Sequence, residues 1–514
     1  MAKISDSITI GFSSDYVPPQ SDFDQPGNTD SNFKIMETTW IEPYWVRALS
    51  MDRDEIVINK VLTEYDRLLT FSFPSEEPEY LPVTILGWAP ASPDMELAGN
   101  EIFSKLEAVL DIRFSETDTP GGFNNFAISQ SIQAKTAGFS YFPNIHYELG
   151  SDVFIAKNYS EALLFSSGST NYDYEVLVHE IGHALGLKHP FEGDRNNLSI
   201  LTNFEDQSTY TVMSYDHVPS TFDGTFRPLD WMTLTKFYGV NPEFRPDNDV
   251  YTFDGMEGTF IIDGNGQDII SVLNSNQNIY IDLRPGAHSY EGVKSSLITA
   301  AHQMTISHDS MIENVETSLG NDTIIGNQLP NIIVSGDGDD KIFAGEGMDI
   351  IHPGSGYDTI DLSENIHVED RIVFEKTNVG VQFDTVYGFV QGLMGDVIDI
   401  TDFNLPNLTI LPIVDILNVP NGYIDNCLVR VFGEDLNSEG NLKSLFSSGG
   451  VLKNLKLSVE TSALLITAQS QNTGETQSVY VVENNLEYFE VHAVSQLIAN
   501  YLDIDNWSLN NFLT

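Results

Sequence analysis

Cysteine is almost missing from this chain: Cys427 is the only one in 514 residues. No intramolecular disulfide can form and a cysteine-based zinc finger is excluded, so the fold has to gain its stability elsewhere. Basic residues are scarce as well. The 24 Lys and Arg face 75 Asp and Glu, a net charge of −51, which argues against nucleic acid or an anionic membrane as partner. The same balance suits bound calcium and a surface adapted to salt. No apolar run reaches the roughly 18 residues that a membrane-crossing helix needs, so no membrane span is expected. Residues 1–17 lack the basic-then-apolar pattern of a cleaved secretory leader. At this length two or three domains with a sizeable core are expected.

What is present is concentrated in a few stretches. Residues 174–190 read YEVLVHEIGHALGLKHP. Positions four apart share a helix face, so His179 and His183 can hold one metal ion, with Glu180 adjacent. Leu177, Ile181, Ala184 and Leu185 form an apolar stripe for the other side of that helix. Gly186 can take the positive φ of a helix end and turn His189 back toward the first two imidazoles. Three neutral imidazoles leave zinc one open position, as in a catalytic site, where bound water acidifies and a neighbouring carboxylate can take its proton. Glu180 is the candidate for that role.

The pattern resembles the metzincin signature HExxHxxGxxH, whose bearers also carry a methionine turn downstream. Residues 211–215, TVMSY, supply one. The resemblance narrows to the serralysins, secreted zinc metalloproteases, on Pro190 after the third histidine and on the MSY turn. It implies that Met213 floors the metal site and that Tyr215 is a fifth zinc ligand, able to swing away and bond the tetrahedral intermediate. LTFSFP at 69–74 and TAGFSYFP at 136–143 add to the likeness. The second stretch implies an edge strand along which a peptide substrate lies antiparallel.

Read in order, residues 1–60 are a leader resembling a propeptide, polar and acidic over the first 35 or so. Residues 61–245 form an α/β zinc-protease domain: a strand at 68–73, a helix carrying Ile102, Phe103, Leu106, Val109 and Leu110, a strand from Ile112, and the zinc helix. A further helix opens at Pro228, buries Trp231, Leu234, Phe237 and Tyr238, and closes at Gly239. The composition shifts at 241–249, where the domain boundary is placed.

Residues 246–375 become periodic. From Thr317 run five nine-residue units, TSLGNDTII, GNQLPNIIV, SGDGDDKIF, AGEGMDIIH and PGSGYDTID. Their sixth position holds Asp322, Asn331, Asp340, Asp349 and Asp358, and their eighth is always isoleucine. An earlier copy, DGNGQDIIS, carries Asp268. The unit is similar to the calcium-binding nonapeptide of RTX proteins. Calcium takes six to eight oxygens. The expected ligand turns are Gly264, Gly266 and Asp268; Gly320 and Asp322; Gly336, Gly338 and Asp340; Gly345, Gly347 and Asp349; and Gly354, Gly356 and Asp358. Leu329 and Asn331 break the pattern in the second unit, so its turn binds calcium weakly or not at all. The isoleucines point inward and stack coil on coil, giving a parallel β-roll. Without calcium the stacked aspartates repel one another, and the roll is expected to fold only outside calcium-poor cytosol.

Residues 376–514 are expected to be β-rich, with 384–403 resembling the segment that follows the repeats in serralysins. A closing helix with Val494, Leu497, Ile498 and Tyr501 on one side is expected to serve as an uncleaved type I export signal. The whole is thus an α+β, multi-domain chain: a metzincin catalytic domain, an RTX roll and a β-rich end. It is expected to be a secreted monomeric zinc endopeptidase that uses one zinc and several calcium ions, acts on protein substrates, and leaves through a type I secretion apparatus. The alternative is a calcium-dependent surface adhesin whose protease domain is vestigial.

Overall fold

The computed structural model describes residues 43–50, 54–133, 136–157, 172–193, 197–216, 225–374, 384–390 and 395–400, and beyond residue 400 only strands. Residues 1–42 and Tyr501 lie outside the described residues. The chain divides into two units, Met1–Tyr238 and Gly239–Thr514.

In the first unit, alternating Leu69 and Phe71 build β1 (Leu68–Ser72). It pairs in parallel with β3 (Arg113–Glu116) and β4 (Asn125–Ser131), and β4 in turn with β6 (Val153–Ala156). β2 (Ala89–Pro90) is a short antiparallel addition to β4. β5 (Gly138–Ser140) pairs antiparallel with β6 and ends the sheet, whose order is β3-β1-β4-β6-β5. The strand expected at 136–143 is therefore an edge. The helix α3 (Pro93–Val109) starts with Pro93 in its first turn, and the Ser92 hydroxyl accepts the Met95 N–H at 3.2 Å. It buries Met95, Ile102, Phe103 and Leu106, and Phe103 stacks on Phe71 with ring centroids 4.4 Å apart.

The zinc helix is α4 (Tyr172–Ala184), and α5 (Pro228–Tyr238) follows. Leu177, Ile181, Ala184 and Leu185 of the stripe have no exposed surface. In α5 Leu234, Phe237 and Tyr238 are buried as expected, while Trp231 is half-buried.

The last part of the 1–60 segment is helical and packed. Helix α1 (Tyr44–Leu49) buries Trp45, Val46, Ala48 and Leu49, and α2 (Asp54–Glu64) follows it. A polar, acidic composition holds only upstream; from Trp45 the chain has enough apolar surface to pack. Its backbone is tied down too. The buried Lys188 ammonium donates to Ala48 O at 2.7 Å, to Glu192 O at 2.6 Å and to Ser199 O at 3.2 Å. Asn197 Nδ2 donates to Arg47 O and Ser50 O.

The second unit is a stack of very short strands: β7 (Val250–Tyr251), β8 (Thr259–Ile261), β9 (Ile269–Ser271), β10 (Ile279–Asp282), β11 (His288–Glu291), β12 (Gln303–Ile306), β13 (Asn314–Glu316), β14 (Thr323–Ile325), β15 (Ile332–Val334), β16 (Lys341–Phe343), β17 (Ile350–His352), β18 (Thr359–Asp361), β19 (Arg371–Val373), β20 (Asp384–Tyr387) and β21 (Val397–Asp399). Successive nonapeptides go to opposite sheets, so each coil takes two units. Ile324, Ile342, Ile360 and Val386 are in register in one sheet, and Ile270, Val315, Ile333, Ile351, Ile372 and Ile398 in the other. All ten are fully buried. The parallel stacking does not stop at residue 375 but runs on through β20 and β21.

The closing helix is not formed. Tyr488–Ala499 is a strand, antiparallel to Gly474–Asn485 and parallel to β20. Val494, Leu497 and Ile498 fit helical spacing, but five of the eleven residues of YFEVHAVSQLI are β-branched or aromatic, and a neighbouring strand is there to pair with.

Candidate metal centre and calcium turns

Helix α4 ends as the sequence requires. Gly186 sits at φ +105°, with Leu187 N–H donating to Gly182 O and Gly186 N–H to His183 O. This pair of bonds turns the chain through a left-handed residue that glycine alone adopts cheaply. It brings His189 back: its Nε2 lies 3.3 Å from His179 Nε2 and 3.1 Å from His183 Nε2.

The far side of the His179 and His183 rings fixes their tautomer. His179 Nδ1 donates to Val212 O at 2.7 Å and His183 Nδ1 to Leu187 O at 2.6 Å. Carbonyls only accept, so these protons are on Nδ1 and the Nε2 lone pairs face one another. His189 Nδ1 lies 3.1 Å from Glu192 Oε2. Burial and the two neighbouring imidazoles push the His183 pKa well below the usual range, which keeps it neutral. Three converging lone pairs repel unless a cation lies among them. A tetrahedral zinc with Zn–N of about 2.0–2.1 Å sets nitrogens roughly 3.3–3.4 Å apart. The donor set therefore fits zinc.

Glu180 is buried, and burial pushes its carboxyl up to about 8, against which a hydrogen bond from Ser140 works. Met213 is fully buried, and a Cβ at Gly182 would come within 2.8 Å of its Sδ, so the glycine inside HEIGH makes room for the methionine. The Tyr215 ring centroid is 4.7 Å from that of His189 and 5.9 Å from that of His179. Phe191 stacks on His189 at 5.1 Å and meets Tyr215 at 5.0 Å.

One supporting residue has only a weak local signature. Asp230, fully buried, accepts from Thr211 Oγ1, Val212 N–H and Arg227 N–H. It thereby holds the loop whose Val212 carbonyl orients His179. A lone Asp in an apolar helix, as in RPLDWM, was the available hint.

In the roll, each sixth-position aspartate has two separate uses for its oxygens. Oδ1 accepts the N–H of the corresponding residue one coil earlier: Asp322 to Asp340, Asp340 to Asp358, Asp358 to Asp384, Asn331 to Asp349 and Asp349 to Asp370, at 2.8–3.0 Å. Oδ2 of Asp268, Asp322, Asp340, Asp349, Asp358 and Asp384 is buried without a hydrogen-bond partner. A row of orphaned anionic oxygens fits calcium, which takes oxygen ligands. The turns beside them need glycine. Gly338 has φ +142°, and a Cβ there would fall 1.7 Å from Gly320 O; Gly356 stands over Gly338 in the same way, at 1.9 Å. Positive φ also occurs at Gly266, Gly320, Gly336, Gly345, Gly347 and Gly354, while Gly264 is needed for close approach, its Cβ position lying 2.1 Å from Asn241 O.

Asn331 closes its own turn. Its amide donates to Glu313 O at 2.8 Å and to Asn327 Oδ1 at 3.2 Å, and Asn327 donates to Leu283 O and Ile312 O. Asp370, Asp384 and Asp396 extend the ladder and were missed because insertions stretch the repeat. The surviving signal is Asp followed two residues later by Ile or Val, in DRI, DTV and DVI. Asp249 and Asp263 also join Asp268, with ligand oxygens within 4.8 Å of one another.

Comparison with known proteins agrees with both halves. Residues 149–228 match metallo-peptidase family M12B, reprolysin-like, and residues 325–360 match the RTX calcium-binding nonapeptide repeat. The chain thus combines a metallopeptidase domain with RTX repeats. It is similar to a serralysin of Photorhabdus sp. (strain Az29), 28% identical over 50% of this chain and 58% of the relative. It is also similar to serralysin B of Dickeya chrysanthemi, 30% identical over 38% and 44%, and to a serralysin of Proteus mirabilis, 30% over 43% and 47%. The chain spans about half the length of the curated relatives it matches.

Proposed function

We propose that this chain is a secreted zinc endopeptidase whose fold depends on calcium. The observation that carries the reading is the convergence of three histidines, with His189 Nε2 3.3 Å from His179 Nε2 and 3.1 Å from His183 Nε2, beside a buried glutamate and a strand that is the sheet edge among the described residues. An extended peptide adds antiparallel to β5 through backbone hydrogen bonds. Zinc, held by His179, His183 and His189 with Tyr215 in reach, supplies Lewis acidity and an acidified water when bound. Glu180 takes the proton from the attacking water and passes it to the leaving amine. Tyr215 donates to the oxygen on which charge develops. The orphaned Oδ2 atoms of the roll, with the turn glycine carbonyls, hold calcium and couple folding to export into calcium-rich surroundings, by a type I route, as a monomer. Among the described residues no helix is long and apolar enough to cross a membrane.

The test is cleavage of casein by the zinc- and calcium-loaded protein and by Glu180→Gln. The parent is expected to cleave, and the variant to keep its zinc while losing at least about 100-fold in kcat. Cleavage surviving in the variant would refute Glu180 as base; none in the parent would favour the calcium-dependent adhesin.

A further inference from the structure

The glutamate beside the three histidines does not stand alone on its helix; it is gripped by the edge strand. Ser140 Oγ donates to Glu180 Oε2 at 3.0 Å, across 40 residues of sequence. Two residues earlier on the same strand, a Cβ at Gly138 would lie 2.7 Å from Glu180 Cγ and 2.8 Å from Oε1. One position of β5 therefore supplies a donor and the other supplies empty space, and between them they allow the carboxylate one seat. Side chains alternate along a strand, so Gly138 and Ser140 face the same side, toward α4.

We propose that Ser140 is a positioning residue for Glu180, with Gly138 shaping the seat. The inference rests on the reading of Glu180 as general base and deepens it. The hydroxyl occupies Oε2 and leaves Oε1 for proton transfer, so the base needs no rotamer search when substrate arrives. Because β5 is also the strand that a peptide would pair with, whatever straightens that edge also sets the glutamate.

The test uses Ser140→Ala, Ser140→Thr and Gly138→Ala in the full-length protein. With zinc and calcium bound, Ser140→Ala is expected to lower kcat about tenfold with KM within about twofold, the size of one hydrogen bond to a charged group. Ser140→Thr, which keeps the hydroxyl, restores kcat, and Gly138→Ala lowers it with zinc content unchanged. A second measurement needs no catalysis: carbon-13 spectra of the zinc- and calcium-loaded protein labelled at glutamate carboxyls, with the Glu180 signal assigned by its loss in Glu180→Gln. That signal should move in Ser140→Ala and stay in Ser140→Thr. An unmoved signal, or a kcat loss equal in the threonine and alanine variants, overturns the proposal. Full kcat in Ser140→Ala also overturns it while leaving the Glu180 reading intact, whereas an active Glu180→Gln removes that reading alone.

Discussion

Replacing Asp340 by Asn separates the two uses of the ladder aspartates. The asparagine keeps Oδ1 to accept the Asp322 N–H, 2.8 Å away, and exchanges the orphaned Oδ2 for an amide. Asp340 is 1% exposed, and burial, followed by the Asp358 charge, pushes its carboxyl up to about 8 in the metal-free roll. The folded-state pKa lies above the unfolded one. Stability is therefore fully present below about pH 4 and is lost as pH rises toward 8, where the folded state ionises too. At pH 7 the loss reaches roughly 4 kcal/mol as an upper bound, from three pH units at 1.36 kcal/mol each. Asparagine removes that loss. Calcium reverses the comparison, because the variant gives up an anionic ligand. Strand content by circular dichroism in chelator, followed from pH 8 down to pH 4, should rise at a higher pH in Asp340→Asn than in the parent. At pH 7 without chelator, the variant should need more calcium to fold. A midpoint unchanged or shifted to lower pH would refute the argument, as would an unchanged calcium requirement.

Three other outcomes follow from buried groups. His288, enclosed with its ring nitrogens on Thr305 Oγ1 and Gln303 Oε1, is held down to about 4 by burial and by the nearby Lys294 charge. Its contribution is present above pH 6.5 and lost as pH falls to about 4, roughly 3 kcal/mol in all; urea titrations at pH 7.5 and 4.5 should show that slope reduced in His288→Gln. Asp230→Ala frees the loop that carries the Val212 carbonyl, so zinc affinity measured against a competing chelator should fall about 10–100-fold. Lys188→Met leaves the carbonyls of Ala48, Glu192 and Ser199 without their ammonium and should cost about 3 kcal/mol in denaturant unfolding of the zinc-loaded protein. No change in any of these measurements would remove the corresponding argument.

What the sequence made legible was whatever recurs at fixed spacing. His179, His183 and His189 could be placed because helix period and a glycine stop leave little freedom, and the observed Gly186 turn is the expected one. The inward isoleucines were legible for the same reason, since one phase error would expose every one of them. Legibility failed where a partner comes from afar. Ser140 reaches Glu180 and Asp230 reaches Val212 across 40 and 18 residues, and nothing local marks either contact. It failed too at 488–499, where helical spacing of a few apolar residues lost to pairing with β20 and with Gly474–Asn485.

The two metal-demanding regions solve one electrostatic problem in opposite ways. At the histidines the protein spends hydrogen bonds on the far side of the rings, Val212 O on His179 and Leu187 O on His183, so the near side is left as neutral lone pairs. Neutral donors cost far less to bury than anions, so the repulsion among these lone pairs before the ion arrives is the smaller of the two penalties. In the roll the donors are carboxylates, half of each satisfied by a backbone N–H and half left bare. A bare buried anion is costly, and one is repeated at nearly every coil, so the scaffold is unfavourable until its ions arrive. Asn331 marks the exception: where the carboxylate is replaced, the Asn327–Asn331 pair closes the turn with hydrogen bonds instead. The number of calcium ions taken up on folding should therefore scale with the number of bare Oδ2 atoms and not with the number of glycine turns.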